Sequence, residues 1–91
     1  MIIIYTLETH PSYQMNISFN QLTVGDNARV SDFVNVTPSY RNRLMSLGLT
    51  PGTLFSVQHK APLGDPIVIM VRGFRLSIRR QEAKGLMVVK L

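Results

Sequence analysis

The side chains that could do acid–base or metal chemistry are few and widely spaced in this chain of 91 residues. The two histidines, His10 and His59, lie far apart in sequence, and there is no cysteine to supply a thiolate ligand or nucleophile. The carboxylates are Glu8, Asp26, Asp32, Asp65 and Glu82. Because none of them is spaced like a general acid and its base, we expect no catalytic residue, no metal site and no cofactor.

Basic side chains are the more distinctive group. Ten lysines and arginines oppose five aspartates and glutamates, which gives a formal net charge of +5. This excess points to an anionic partner such as nucleic acid, a membrane surface or an acidic protein face, although the solubility of a small domain explains it more simply. The sequence contains no glycine-rich phosphate loop and no GxSxG or HExxH motif. These features favour a binding protein over an enzyme.

The length and the N-terminal sequence indicate the domain organisation. We expect one domain at residues 15–91, with residues 1–14 as an extension. The apolar run Ile2–Leu7 is too short to cross a membrane and lacks the features of a signal peptide, so we expect a cytosolic protein. This run could be an added edge strand, a contact with a partner or another copy, or a translation-start artefact, with Met15 as the alternative first residue.

The stretch TPSYRNRLMSLG predicts one short helix of about three turns. Thr37 is suited to the N-cap, and the proline after it is suited to the first helical position. Tyr40, Leu44 and Leu47 recur at spacings of four and three residues, so we place all three in the core. Gly48 can adopt the left-handed conformation that ends a helix.

Two strands flank this helix. Ala28–Val34 has the composition of a strand, whereas the residues from Thr9 to Asn20 are polar and predict a loop. After the helix, Pro51 and Gly52 have the order favoured in the middle of a type II turn. Thr53–Lys60 follows as a strand with alternate residues on its two faces.

The next two apolar runs predict a hairpin with a defined register. If Arg72 and Gly73 form a two-residue turn, the pairs on one face are Val71 with Phe74, Ile69 with Leu76, and Ile67 with Ile78. All of these pairs are apolar, and a slip by one residue would destroy the sorting. The stretch at residues 80–84 predicts one helical turn, and Leu86–Leu91 predicts the last strand. The order of elements favours an all-β fold, a small closed barrel whose closure removes the sheet edges.

The loop APLGDP lies between two predicted strands and has more turn residues than a connection needs. Pro62 and Pro66 fix two φ angles, Gly64 permits a left-handed turn, and Asp65 can accept backbone N–H bonds. Turn chemistry does not explain Leu63 at the tip. The loop is therefore either a rigid connector or a docking loop that holds one apolar side chain outward.

Three spaced motifs resemble the FeoA family, the small cytoplasmic proteins of bacterial ferrous iron transport. They are RLMSLGLTPG at residues 43–52, APLGDPI at residues 61–67 and VRGFRLSIRRQEAKGLMV at residues 71–88. The resemblance covers residues 22–88 and implies an SH3-like barrel. It also implies a partner, the FeoB iron transporter with its cytosolic GTP-binding domain, which would place the protein at the inner membrane through that partner.

On this interpretation the protein docks on FeoB through the loop, one side of the helix and nearby cations. The predicted contacts are Arg41, Met45, Leu49, Lys60, Pro62, Leu63, Gly64, Asp65, Arg72, Arg75 and Arg79. The predicted structural residues are Leu44, Leu47, Gly48, Pro51, Gly52, Pro66 and Gly73. The alternatives are a nucleic-acid-binding basic barrel, disfavoured because few aromatics are free to stack, and a metal-sensing module like the C-terminal domain of metal-dependent repressors.

Overall fold

The computed structural model describes residues 15–91 and has six strands, one α-helix and two single 3₁₀ turns in that range. The strands are β1 Asn16–Ser18, β2 Asn27–Phe33, β3 Leu54–Lys60, β4 Ile67–Val71, β5 Phe74–Ile78 and β6 Leu86–Lys90. The helix, α1, is Pro38–Ser46, and the 3₁₀ turns are Phe19–Gln21 and Pro62–Gly64. The strand suggested for Ile2–Leu7 lies outside the described residues.

All six strands form one antiparallel sheet in the order β1-β6-β2-β3-β4-β5. The register shifts between Val30 and Asp32 in β2 and between Val57 and His59 in β3. Such bulges bend a strand and increase its twist, which lets a sheet curve around a core. No ladder joins β1 to β5 within residues 15–91, so the barrel keeps two edges that the sequence argument expected closure to remove.

The hairpin of β4 and β5 has the predicted register at every pair. Arg72 and Gly73 have φ angles of 51° and 86°, as a type I′ turn requires. The side chains of Ile67, Ile69 and Val71 on the inner face are buried. Phe74 is 48% exposed and is not a core residue as predicted, because it lies at the end of the hairpin where the inner face meets solvent.

Helix α1 begins and ends where the sequence indicated. Thr37 is the N-cap, and its hydroxyl accepts the Tyr40 N–H at 3.4 Å. Gly48 follows the helix with a φ of +106°. Leu44 is buried and Leu47 is half-buried, but Tyr40 is 40% exposed, which corrects its placement in the core. Tyr40 lies in the first turn of α1, and the buried residue of the helix, Leu44, lies one turn later.

One continuous apolar core fills the barrel. Its buried members are Phe19, Leu22, Ala28, Val30, Leu44, Leu49, Phe55, Val57, Ile67, Ile69, Val71, Ile78, Ala83, Leu86 and Val88. The Pro51–Gly52 turn is present: the Thr50 carbonyl accepts the Thr53 N–H at 3.0 Å, and Gly52 has a φ of +92°. This turn returns the chain from α1 to β3.

One segment differs from the sequence prediction. Residues 16–21 are not a loop, because β1 pairs with β6 and the fully buried Phe19 packs with its ring centroid 5.7 Å from that of Phe55.

The stretch at residues 80–84 forms hydrogen-bonded turns that include the predicted helical turn. The Ala83 N–H donates to the Arg79 carbonyl, four residues earlier, at 3.1 Å, and Gly85 at φ +90° leads into β6.

Candidate functional site

The loop between β3 and β4 contains a type II turn with an unusual residue at its third position. The Ala61 carbonyl accepts the Gly64 N–H at 2.7 Å, with Pro62 and Leu63 in the middle of the turn. Leu63 has φ 71° and ψ 6°, a left-handed conformation that favours glycine or asparagine. Its side chain is 96% exposed. The turn therefore holds a leucine in a costly backbone conformation with almost all of its surface in solvent.

Hydrogen bonds fix this loop to the barrel. The Ala61 N–H donates to the Pro66 carbonyl at 3.1 Å and closes the base of the loop. The Asp65 carboxylate accepts the Arg80 N–H at 3.0 Å. The Lys60 ammonium donates to the Leu22 carbonyl at 2.8 Å, which holds that side chain beside the loop. These bonds limit the freedom of the loop before any partner binds.

Glycine 64 fits a narrow space between two cationic side chains. A Cβ atom there would lie 3.3 Å from Cε of Lys60 and 3.5 Å from Nη1 of Arg80. Both neighbours are flexible side chains that can move, so this space is less restrictive than one made by backbone. The loop tip thus has an apolar residue, Leu63, with two cations close to the next residue.

The same bonds continue from the loop to α1. The Arg79 N–H donates to Oε1 of Glu82 at 3.1 Å, and Oε2 of Glu82 lies 2.8 Å from Nη2 of Arg43 on the helix. We call loop 61–66, residues 79–82 and Arg43 the docking surface. Arg43, Arg80 and Glu82 were not among the predicted contacts, because their roles depend on contacts between segments distant in sequence.

The predicted basic cluster is divided between two ends of the hairpin. Lys60 and Arg79 lie at the loop end of β4. Arg72 is in the turn at the other end, and Arg75 pairs with Met70 two positions before that turn. Those ends are roughly 13 Å apart along β4, at about 3.3 Å per residue. Arg72 instead donates from Nη2 to the Thr53 hydroxyl at 3.3 Å.

The predicted contacts on and after the helix have different exposures. Arg41 is exposed and Met45 is half-buried. Leu49 is fully buried in the core, so its prediction as a partner contact is wrong. Its backbone explains this burial, because the Leu49 N–H donates to the Leu44 carbonyl at 3.0 Å and turns the side chain under the helix.

The chemistry of the described residues is that of a binding surface. Within residues 15–91 no three histidine, cysteine, aspartate or glutamate side chains come together as a metal site could. In the same range no helix is long and apolar enough to cross a membrane. Phe19 and Phe55 are buried, and the exposed aromatics Tyr40 and Phe74 stand on different elements. They do not form the row of stacking rings expected of a single-strand nucleic-acid groove.

Comparison with known proteins finds FeoA proteins and, at 24% identity or less, metal-dependent repressors that share the fold. The FeoA domain model matches residues 17–90. The solution structure of the FeoA protein from Chlorobium tepidum is 41% identical, covers 82% of this chain and 70% of its own, and superposes with a TM-score of 0.73. A crystal structure of an iron uptake regulatory protein, FeoA, is 34% identical, covers 85% of this chain and all of its own, and has a TM-score of 0.76.

A third structure identifies the barrel type. Stenotrophomonas maltophilia FeoA, crystallised with zinc, is 25% identical, covers 79% of this chain and 88% of its own, and has a TM-score of 0.68. That protein is described as a procaryotic SH3 domain protein. The sheet described above is thus an SH3-like barrel, as the resemblance to the FeoA family implied.

Proposed function

This chain belongs to the FeoA family, and from that premise we propose that it is a cytosolic accessory protein of bacterial ferrous iron uptake that binds the GTP-binding part of FeoB. The proposed contact is the docking surface, with Leu63 at its centre. The protein acts by binding and not by catalysis, because its described carboxylates serve turns and ion pairs. Asp26, Asp65 and Glu82 all accept backbone N–H groups.

The observation that carries this proposal is the conformation of Leu63. A non-glycine residue in the left-handed region costs about 1–2 kcal/mol. Burial of the side chain would offset such a cost, but Leu63 is almost completely exposed. A strained and solvent-exposed leucine on a fixed loop is what a partner with an apolar pocket would recognise.

The charges around the loop suit an acidic rim on the partner. Lys60, Arg79 and Arg80 lie at this end of the barrel, and the nearby Glu82 is already bound to Arg43. Cations at a rim mainly speed association and orient the two proteins, whereas a desolvated apolar anchor slows dissociation. We therefore expect Leu63 to determine the affinity and the cations to determine its salt dependence.

The test is calorimetric titration of the full chain into the FeoB cytosolic domain and into the complete transporter in detergent. Leu63→Asn keeps the backbone conformation accessible and removes the apolar group, so we expect the affinity to fall at least about ten-fold. The matched control is Phe74→Thr, which removes an exposed apolar side chain at the other end of the hairpin and should change the affinity less than about two-fold.

Three results would overturn the proposal. The first is no binding to either FeoB preparation together with normal ferrous iron uptake in a deletion strain. The second is equal loss of affinity in Leu63→Asn and Phe74→Thr, which would place the contact elsewhere. The third is a submicromolar, steeply salt-dependent gel shift with nucleic acid, which would favour the nucleic-acid-binding alternative.

A further inference from the structure

An apolar groove lies at the end of the barrel opposite the docking surface. It has a volume of about 460 Å³ and runs across the sheet from Leu91, past Ala28, to Leu54 and Met70. Leu54 is 59% exposed and Leu91 is 56% exposed, so two large apolar side chains on its walls face solvent. Exposed apolar groups that line a concave surface mark a place where another apolar group binds.

The register of β1 shows at which end of the barrel Met15 lies. Asn16 pairs with Val89 in an antiparallel ladder, so Met15 lies at the end of the barrel where β6 ends. Leu91 is fixed to the sheet at that end, because its N–H donates to the Asn27 carbonyl at 2.8 Å. Residues 1–14 are therefore joined to Met15 at the same end of the barrel as the groove.

The composition and length of that segment match the groove. It contains the apolar run Ile2–Leu7 and then the polar residues 8–14. From β6 to β4 the groove crosses three strand spacings, roughly 14 Å at about 4.8 Å each. Residues 9–14 span up to roughly 20 Å when extended, at about 3.3 Å per residue, so the apolar run can reach every part of the groove.

We propose that residues 2–7 of this chain bind in the groove formed by Leu54, Met70 and Leu91 of the same chain. The segment is covalently joined to Met15 at this end of the barrel, so its effective concentration at the groove is in the millimolar range, and a weak apolar contact is sufficient. Binding covers the exposed leucines and prevents other apolar segments from occupying the site. This inference concerns the end of the barrel away from Leu63 and does not depend on the proposed function.

Disulfide trapping in the full chain tests this directly, because the sequence contains no cysteine to interfere. The test variant carries Ile3→Cys and Leu54→Cys. The matched control carries Ile3→Cys and Leu63→Cys, with the second thiol at the opposite end, on a leucine that is more exposed than Leu54. We expect a disulfide-linked monomer that forms at least about ten-fold faster in the test variant than in the control.

A second measurement is needed because the two thiols could lie close together in an orientation that does not allow a disulfide to form. Ile3→Asp in the otherwise native chain should shift the methyl resonances of Leu54, Met70 and Leu91 and leave those of Leu63 unchanged. Equal trapping rates, or no shift at the groove methyls, overturns the proposal. A disulfide-linked dimer also overturns it, because the occupant is then the segment of a second copy.

Discussion

Two tight turns lie at the two ends of β4, and each places a large side chain in the left-handed region. One has Leu63 at φ 71°, and the other has Arg72 at φ 51°. The guanidinium of Arg72 turns back to the barrel and donates to the Thr53 hydroxyl at 3.3 Å. Leu63 has 96% of its side chain in solvent. The free-energy cost of the left-handed backbone is similar in the two turns. Among the described residues, however, only the Arg72 side chain gains a contact with the rest of the chain.

This difference separates a turn that the fold explains from a turn that the proposed function would explain. In the Arg72 turn, a hydrogen bond to Thr53, the residue before β3, offsets part of the strain. In the Leu63 turn, our proposal places the compensating contact on a partner protein. The turn of Leu63 is also the one fixed at its base by Asp65 and Arg80, so it resists relaxation into a cheaper conformation.

The largest expected effect is the loss of stability at a position that has a left-handed backbone and also no room for a side chain. In Gly85→Ala the new Cβ would collide with the Val34 carbonyl and lie 2.5 Å from Cγ2 of Val36, at a φ of +90°. Because the collision involves backbone, we expect a loss of at least about 3 kcal/mol of unfolding free energy. Thermal denaturation should show a midpoint lowered by more than roughly 12 °C.

The matched control measures the cost of the left-handed backbone alone. Gly52 has a φ of +92°, but a Cβ atom there would have no neighbour within 4 Å. Gly52→Ala should therefore cost only about 1 kcal/mol. If both variants lose about 3 kcal/mol, the left-handed backbone alone explains the loss, and the cost assigned to Leu63 must be revised upward. If both lose about 1 kcal/mol, steric crowding at Gly85 contributes nothing.

The intermediate effect compares the two turns of β4 directly. Leu63→Asn should raise the unfolding free energy by about 0.5–1 kcal/mol, since asparagine tolerates the left-handed region and no contact is lost. Arg72→Asn relieves the same strain but loses the bond to Thr53, so its net change should be within about 0.5 kcal/mol of zero. Chemical denaturation measures the unfolding free energy of both variants. If the two variants gain equally, the Arg72 contact has no energetic value and the two turns do not differ.

The smallest expected effect is at a third turn, at residues 23–26. The carboxylate of Asp26 stabilises this turn, as that of Asp65 stabilises the Leu63 loop. Asp26 accepts the Thr23 N–H at 2.8 Å and lies 3.5 Å from the Lys90 ammonium. The hydrogen bond from the Thr23 backbone, with help from Lys90, lowers the pKa of Asp26 below its ordinary 3.8, although burial opposes this.

A lowered pKa means that the ionised form stabilises the fold above the unfolded-state pKa and that this stability is lost as the pH falls through the folded-state value. At pH 7 we expect Asp26→Asn to be less stable than the native chain by less than about 0.5 kcal/mol, because the amide oxygen can still accept the Thr23 N–H and only the charge is lost. Denaturation from pH 7 to pH 2 should show this gap closing only below about pH 4. A gap that is constant over the whole range would contradict the role assigned to the charge.

Local patterns predicted much of the fold. The register of the β4–β5 hairpin followed from matching apolar pairs, because a one-residue slip would expose all of them. The ends of α1 followed from Thr37 and Gly48, whose side-chain and backbone preferences act within a single turn. The outward position of Leu63 followed from the loop composition, since nothing local could cover a leucine between two prolines.

The errors have a common physical origin in contacts between distant segments. The three-residue strand β1 exists because it pairs with β6, about seventy residues later, and its own composition is that of a loop. Hydrophobic periodicity placed Tyr40 and Phe74 on apolar faces. It did not show that the core ends before it reaches these two side chains, which are exposed. The bonds joining Asp65 to Arg80 and Arg43 to Glu82 likewise depend on the completed fold.

The position of β6 between β1 and β2 has a consequence for synthesis of the protein. Both neighbours of β6 are translated long before it, and neither can complete its ladder until residues 86–90 have left the ribosome. Until then β1 and one edge of β2 lack the strand that pairs with them, so an incomplete chain exposes strand edges and apolar surface that chaperones and proteases recognise. The barrel can therefore form only after residue 90 has been translated.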